Sequence, residues 1–213
     1  LTPSGNATER HIVTAYVAKS EQIHGSSEST AKFWAEIFKM KPEDTSKLMA
    51  DRPAFEEKAR SCLVKKGGIG YVQPTSDAFP PIRDFYRWAK EAGTIPTEAW
   101  LDGTPGGESD AERFLDATMA EGAEALNIIP DRNWNIKDQK TRDLKVAKLR
   151  EIVKAAEARH LPIIVGTEMN KKGQPIVDDT GSGVLAEFAD VFLKGAKIVV
   201  GHTLLARFAD FPY

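Results

Sequence analysis

Charged, amide and imidazole side chains follow three short apolar runs of the sequence. In chain order these polar residues are Asp131, Arg132, Asn133, Glu168, Asn170 and His202. Successive residues of a strand face opposite sides, so alternate positions within each run share one face. On that face the residues change from apolar to polar in the direction of the chain. This pattern is typical of a site at the carboxyl ends of parallel strands.

The side chains of this group favour metal chemistry. Glu168 and His202 offer a carboxylate oxygen and an imidazole nitrogen, which are ligands for zinc, manganese or iron. A divalent metal bound there would lower the pKa of a water molecule and supply hydroxide at neutral pH. Asp131 is then a further ligand or a general base. Arg132 is suited to bind a phosphate or a carboxylate through two parallel hydrogen bonds.

Four further residues complete the predicted site. We expect the amides of Asn133 and Asn170 to contact the substrate, together with Arg10 from the polar stretch 5–11. The same stretch supplies His11 as a candidate metal ligand. The N-terminus of a helix is the alternative interpretation of this stretch, because polar residues and acids are also common there.

Short apolar runs and amphipathic helices alternate after Gly68. The predicted strands are Ile69–Gln73, Thr94–Trp100, Ala125–Ile129, Pro162–Thr167 and Lys197–Gly201. The predicted helices between and after them are Ile82–Ala92, Asp110–Ala120, Asp138–Arg159 and Val184–Leu193. This alternation implies parallel strands joined by right-handed crossovers. It is compatible with an open doubly wound sheet or with a barrel whose first strands lie elsewhere.

We predict an α/β protein that is an incomplete or distorted (β/α) TIM-like barrel preceded by a helical region. The predicted barrel portion is residues 68–213, and residues 1–67 form a helical cap or insertion. Within the first region, Pro42 and Pro53 each mark a helix start, and the glycine pair at 67–68 ends the last helix.

Composition excludes several classes of partner. The 29 Lys and Arg residues against 31 Asp and Glu residues leave a net charge of -2, so no basic surface is available for nucleic acid. No apolar run approaches the roughly 20 residues that span a bilayer. The single cysteine, Cys62, fits a reducing compartment, so we expect a cytoplasmic protein. The expected partner is a small-molecule substrate, and a homo-oligomer remains open.

The segment from Ala158 to Met169 resembles the helix-to-strand segment of the PHP (polymerase and histidinol phosphatase) family, within the amidohydrolase-like metal-dependent barrels. In that family a Gly-x-Glu places a glutamate as a metal ligand. The resemblance therefore gives this role to Glu168, and it gives the role of a later ligand to His202. Family members have a distorted (β/α) barrel, bind metal ions and mostly hydrolyse phosphate esters. The His-x-His of the family's first strand does not occur in this sequence, so we expect a chain that lacks its N-terminal strands.

These observations predict a metal-dependent hydrolase, phosphoesterase-like, that acts on a small anionic substrate. One alternative is a sugar-acid isomerase similar to uronate isomerases, in which Trp34, Trp100 or Trp134 would line a sugar pocket. Another is a non-catalytic barrel remnant that binds a metabolite or a partner, in which case the metal site would be degenerate.

Overall fold

The computed structural model describes residues 5–169, 176–181, 183–209 and 211. The chain forms two compact units, Leu1–Ala78 and Phe79–Tyr213.

Helices form the first unit. In the described part they are α1 (Glu9–His24), α2 (Ser27–Phe38), α3 (Pro42–Met49) and α4 (Arg52–Leu63), followed by a 3₁₀ turn at Ser76–Ala78. Local chemistry sets their ends. The Ser26 hydroxyl accepts a hydrogen bond from the Ser29 N–H at 3.2 Å, and the Asp51 carboxylate accepts one from the Ala54 N–H at 3.2 Å. Gly25 ends α1 in the left-handed conformation, with φ 67°.

Three aromatic rings form the centre of the first unit. The ring centroids of Trp34, Phe38 and Phe55 lie 5.2 to 5.4 Å apart, in the tilted and edge-to-face arrangements that aromatic rings prefer. The Trp34 indole N–H donates to the Ser20 hydroxyl at 2.8 Å, so the buried polar atom of this ring is satisfied. Val13 from α1 completes the apolar contact.

The predicted first strand, Ile69–Gln73, is wrong. The chain instead folds back on the end of α4: the Ile69 N–H donates to the Cys62 carbonyl at 2.9 Å, and the Gly70 N–H donates to the Leu63 carbonyl at 2.8 Å. Ile69 and Val72 are 75% and 82% exposed. A β-type residue pattern forms a strand only where a neighbouring strand satisfies its backbone, and none pairs with this segment among the described residues.

The second unit is a small parallel sheet with helices. Its elements are α5 (Ile82–Glu91), β1 (Thr97–Trp100), α6 (Ala111–Glu121), β2 (Ala125–Ile128), α7 (Asp131–Trp134), α8 (Gln139–Ala158), β3 (Ile163–Val165), a 3₁₀ segment (Gly183–Phe188) and α9 (Ala189–Phe208). The strand order is β1-β2-β3, and both pairs are parallel. The core between sheet and helices includes Trp100, Leu126, Leu149 and Ile163, all nearly inaccessible to solvent.

The predicted barrel is wrong, because the described part of the chain forms an open sheet of three strands. The second, third and fourth predicted strands correspond to β1, β2 and β3, and the first three predicted helices correspond to α5, α6 and α8. The fifth predicted strand, Lys197–Gly201, lies inside α9.

Close packing of α9 on β3 explains the loss of the fifth strand. Gly195 lies so near β3 that a Cβ atom on it would be 1.8 Å from the Ile163 carbonyl oxygen. A helix that has already started extends at little cost, so the β-branched run 198–200 continues α9. Among the described helices, including the 20-residue α9, none combines the length and the apolar character needed to cross a bilayer.

Candidate functional site

Polar side chains collect where the three parallel strands end. Because parallel strands end at the same edge, the loops that follow β1, β2 and β3 meet there. The described polar residues of this carboxyl edge, the name used below, are Asp102, Glu108, Asp131, Arg132, Asn133, Trp134, Lys145, Glu168 and Asp178. Five of these nine residues were not among the predicted site residues.

An ion pair joins the loop after β2 to the end of β3. The Arg132 Nη2 atom lies 2.6 Å from the Glu168 Oε1 atom, and both side chains are largely shielded from solvent. The guanidinium Nε atom is buried and has no acceptor within the part of the chain that the structure describes. Both residues were predicted as site residues, and the structure places them in contact. The carboxylate that the resemblance assigns to a metal is held here by a guanidinium.

A buried carboxyl group lies beside this pair. Asp178 is 4% exposed, and its Oδ1 atom accepts a hydrogen bond from the Trp134 indole N–H at 3.0 Å. Its Oδ2 atom is buried and makes no hydrogen bond to any described residue. Burial raises the pKa of Asp178, the negative charge of Asp131 raises it further, and the Trp134 hydrogen bond only partly offsets this. The structure therefore places a buried carboxyl group with a raised pKa within the influence of the Asp131 charge.

Asn133 plays a different part from the one predicted for it. The alternating-face rule does not apply beyond Ile129, because the chain turns into α7 at Asp131. Asn133 is therefore fully buried, and its amide donates to the Lys145 carbonyl of α8 at 3.3 Å. This contact fixes the position of α7, and with it the positions of Arg132 and Trp134.

A second ion pair lies at the end of β1. The Lys145 Nζ atom is 2.7 Å from the Asp102 Oδ2 atom, with side-chain exposures of 20% and 13%. The other carboxylate oxygen accepts hydrogen bonds from the backbone and the hydroxyl of Thr104. Burial acts to raise the pKa of Asp102, but the bonds from Lys145 and Thr104 outweigh it and the pKa is lowered.

Three backbone N–H groups converge on one glutamate in the same loop. The N–H groups of Leu101, Asp102 and Gly103 donate to the Glu108 Oε2 atom at 3.0, 3.1 and 3.1 Å. Gly103 has φ 73°, and a Cβ atom there would be 2.8 Å from the Lys148 Cβ atom. Glycine is required for this conformation, which turns successive N–H groups toward a single anion.

The remaining predicted residues lie elsewhere. His202 lies within α9, so the prediction that it follows a strand is wrong. Arg10 and His11 belong to α1 of the first unit. The Arg10 guanidinium is 2.9 Å from the Glu57 carboxylate, and the His11 Nδ1 atom accepts a hydrogen bond from the Thr8 N–H at 3.1 Å. Asn170 lies outside the described residues.

Of the predicted metal ligands, Glu168 and His202 belong to the second unit and His11 belongs to the first. Within the described ranges no three His, Cys, Asp or Glu side chains are arranged to hold a metal ion. Asp131 and Asp178 are two neighbouring carboxylates, whereas a protein zinc site has three or four ligands. The residues present therefore do not form the ligand set that the resemblance implies.

Sequence reasoning missed Asp178, Glu108 and Lys145 for one shared reason. Each reaches the carboxyl edge from a loop or a helix well separated in sequence from a strand end, so no spacing pattern marked it. The only local signal was the glycine-rich loop 103–107, because such loops often present backbone N–H groups to an anion.

Comparison of the chain with protein-family models, with curated proteins and with solved structures found no significant match. The fold and the carboxyl edge define the second unit as an open, three-stranded parallel α/β structure with a charged site at the strand ends.

Proposed function

We propose that the carboxyl edge is the active site of a hydrolase that acts on a small anionic substrate, with a phosphate ester as the expected class. The observation that carries the proposal is the buried Asp178 carboxyl group, which bonds to Trp134 and whose pKa is raised by burial and by the charge of Asp131. Two neighbouring carboxyl groups whose environments differ can hold one proton between them, which is the arrangement needed for general acid and base catalysis.

Each group has a defined role in the proposed reaction. Ionised Asp131 accepts a proton from the attacking water, whose oxygen forms a new bond to phosphorus. Protonated Asp178 donates its proton to the ester oxygen as the bond between that oxygen and phosphorus breaks. Arg132 binds the non-bridging oxygens through the exposed part of its guanidinium group. The proton moves from Asp131 back to Asp178 to complete the cycle.

Metal dependence remains a prediction of the sequence, with zinc, manganese or iron as candidates. No step above passes through a metal, because the described residues do not present the predicted ligand set. Element analysis of protein purified without chelator tests this point separately from the reaction.

Release of phosphate from a panel of phosphate monoesters tests the proposal. We expect Asp178→Asn, Asp131→Asn and Arg132→Gln each to lower kcat/KM by about 100-fold or more, the usual contribution of a positioned acid or base. Because Asp178 must be protonated to act, kcat/KM of the natural chain falls as the pH rises through the pKa of this group. Asp143→Asn is the matched control, because Asp143 is exposed on α8 and, among the described residues, accepts a hydrogen bond from Gln139 on the same helix.

Two results would overturn the proposal. One is unchanged turnover in both aspartate variants. The other is no turnover of any ester by the natural chain, with or without added zinc, manganese or iron.

A sugar-acid isomerase is the second candidate, since Trp134 lies against Asp178 at the edge and an acid–base pair also suits proton transfer between carbons. Trp34 and Trp100 are 1% exposed and cannot line a pocket. Interconversion of a uronate with no phosphate release would favour this candidate.

A further inference from the structure

We propose that the three N–H groups of Leu101, Asp102 and Gly103 form an oxyanion-binding site, and that Glu108 is an internal occupant which a ligand displaces. The ligand is a small molecule with a phosphate or carboxylate group. This inference deepens the proposed function, because it names where an anionic group of the substrate binds. It is tested by binding rather than by turnover.

The geometry is that of an anion site. All three N–H groups donate to the same oxygen atom at 3.0 to 3.1 Å, which is ordinary hydrogen-bond length. Successive N–H groups turned toward one point form a concave positive region that binds phosphate or carboxylate oxygens. The site lies at the end of β1, where open parallel sheets bind their ligands.

The negative charge of the Glu108 carboxylate is stabilised mainly by the three backbone N–H groups. Within the described part of the chain, Glu108 forms no ion pair with Lys, Arg or His. Its only hydrogen-bond partners there are the three backbone groups. A cluster of backbone dipoles that holds one carboxylate without a cation is able to hold another oxyanion in its place.

The loop that carries Glu108 is exposed and has space to move. Thr104, Pro105, Gly106 and Gly107 are exposed, and a Cβ atom on either of these glycines would meet nothing within 4 Å. The Glu108 N–H donates to the Pro105 carbonyl at 2.9 Å. At the next residue, the Ser109 hydroxyl donates to the Gly106 carbonyl and the Ser109 carbonyl accepts from the Lys148 ammonium group. Displacement therefore breaks the three carboxylate bonds and requires no change in the core.

Lys145 supplies the cation beside this site. Its Nζ atom is paired with the Asp102 side chain, whose own N–H is the middle donor of the three. An arriving phosphate would meet both charges of this pair, and the Lys145 ammonium group would offset the repulsion by the Asp102 carboxylate.

Backbone amide NMR of the full chain with inorganic phosphate tests the inference. The variants are Glu108→Ala and Glu108→Gln, and Glu121→Gln is the control, since Glu121 pairs with Arg83 at the opposite end of α6 and its change removes the same charge. We expect phosphate to shift the amide signals of Leu101, Asp102 and Gly103 in the natural chain. We expect it to bind Glu108→Ala about tenfold more tightly, because a carboxylate tethered by a short loop competes at an effective concentration on the order of mM.

The affinity of Glu108→Gln for phosphate should lie between those of the natural chain and Glu108→Ala, since its amide oxygen still accepts hydrogen bonds but carries no charge. Glu121→Gln should bind phosphate like the natural chain. Acetate titrated in parallel separates carboxylate from phosphate recognition. Unmoved signals of residues 101–103 in both Glu108→Gln and the natural chain would overturn the inference, even if Glu108→Ala fails to fold. Phosphate bound here in a protein without turnover would uphold the site and reject the hydrolase.

Discussion

Acidic and basic side chains serve different ends in the two units. In the first unit they lie on the surfaces of α1 and α4 and pair with each other: Arg10 with Glu57 at 2.9 Å, and Arg60 with the same Glu57 at 2.9 Å. At the carboxyl edge of the second unit, backbone N–H groups bond to Glu108 and an indole N–H bonds to Asp178. Glu108 and Asp178 have no cationic partner among the residues the structure describes.

The consequence is seen in the pKa values of carboxyl groups. Burial acts to raise the pKa of Glu57, but the bonds and charges of Arg10 and Arg60 outweigh it, so the pKa is lowered. Burial and the nearby charge of Asp131 raise the pKa of Asp178. A carboxyl group with a lowered pKa stabilises the folded state in its ionised form. A carboxyl group with a raised pKa is suited to transfer a proton in catalysis. The comparison therefore separates a carboxylate paired with two arginines from a buried carboxyl group without a cationic partner among the described residues.

The largest expected effect comes from Gly195→Val, because the added side chain would collide with the Ile163 carbonyl. We expect a loss of more than about 3 kcal/mol in the free energy of unfolding, the range of severe core overpacking. Hydrogen exchange read by mass spectrometry should show lost protection in the described residues of the second unit and retained protection in those of the first. Gly201→Ala is the control, since a Cβ atom there meets nothing within 4 Å and alanine favours a helix. Equal loss of protection in both units would contradict the division into independent units.

Lys145→Met should have the next largest effect. The change leaves the shielded Asp102 carboxylate without its ammonium partner, and we expect a loss of about 2 kcal/mol at neutral pH. The lowered pKa of Asp102 means that this pair stabilises the fold above the ordinary aspartate pKa, and that the contribution is lost as the pH falls through the folded-state pKa. Urea unfolding of variant and natural chain should therefore converge at low pH. A difference that does not change with pH would assign the loss to packing alone.

Asp178→Asn should stabilise the chain at neutral pH while it lowers turnover. An isosteric amide removes the charge from a buried oxygen without a partner, worth about 1 kcal/mol. The raised pKa means that Asp178 binds its proton more tightly in the folded state, so the stability of the natural chain falls as the pH rises through that pKa. The stability of Asp178→Asn should not fall over this pH range, because the amide does not titrate. Thermal unfolding across pH measures the difference, and Asp143→Asn should show none.

Arg52→Met should have the smallest effect. Arg52 lies 2.5 Å from the Glu21 carboxylate and 2.6 Å from that of Glu56, but its side chain is 42% exposed. Exposed pairs contribute about 0.2 to 1 kcal/mol, and salt weakens them. We expect a loss below about 1 kcal/mol that shrinks further in 1 M salt. If Arg52→Met lost as much unfolding free energy as Lys145→Met, the exposed ion pairs of the first unit would be as strong as the shielded pair of the second.

Local patterns in the sequence were enough to predict most of the helices and the three strands that pair. Helical spacing and the helix starts at Pro42 and Pro53 act within one or two turns, so they indicate α3, α4, α5, α6 and α8 from neighbouring residues alone. The position of Arg132 and Glu168 at one edge also followed from strand order alone.

The number of strands and the partners of each charge depended on contacts distant in sequence. Lys197–Gly201 has a strand pattern, yet Gly195 packs against β3 and the run continues as helix. Asp178 meets Trp134 across 44 positions, and Glu108 acts only because three backbone N–H groups turn toward it. Hydrophobic periodicity and capping are short-range and can be read from neighbouring residues. Strand pairing, burial of a carboxylate and convergence of amides exist only once separate segments have packed together.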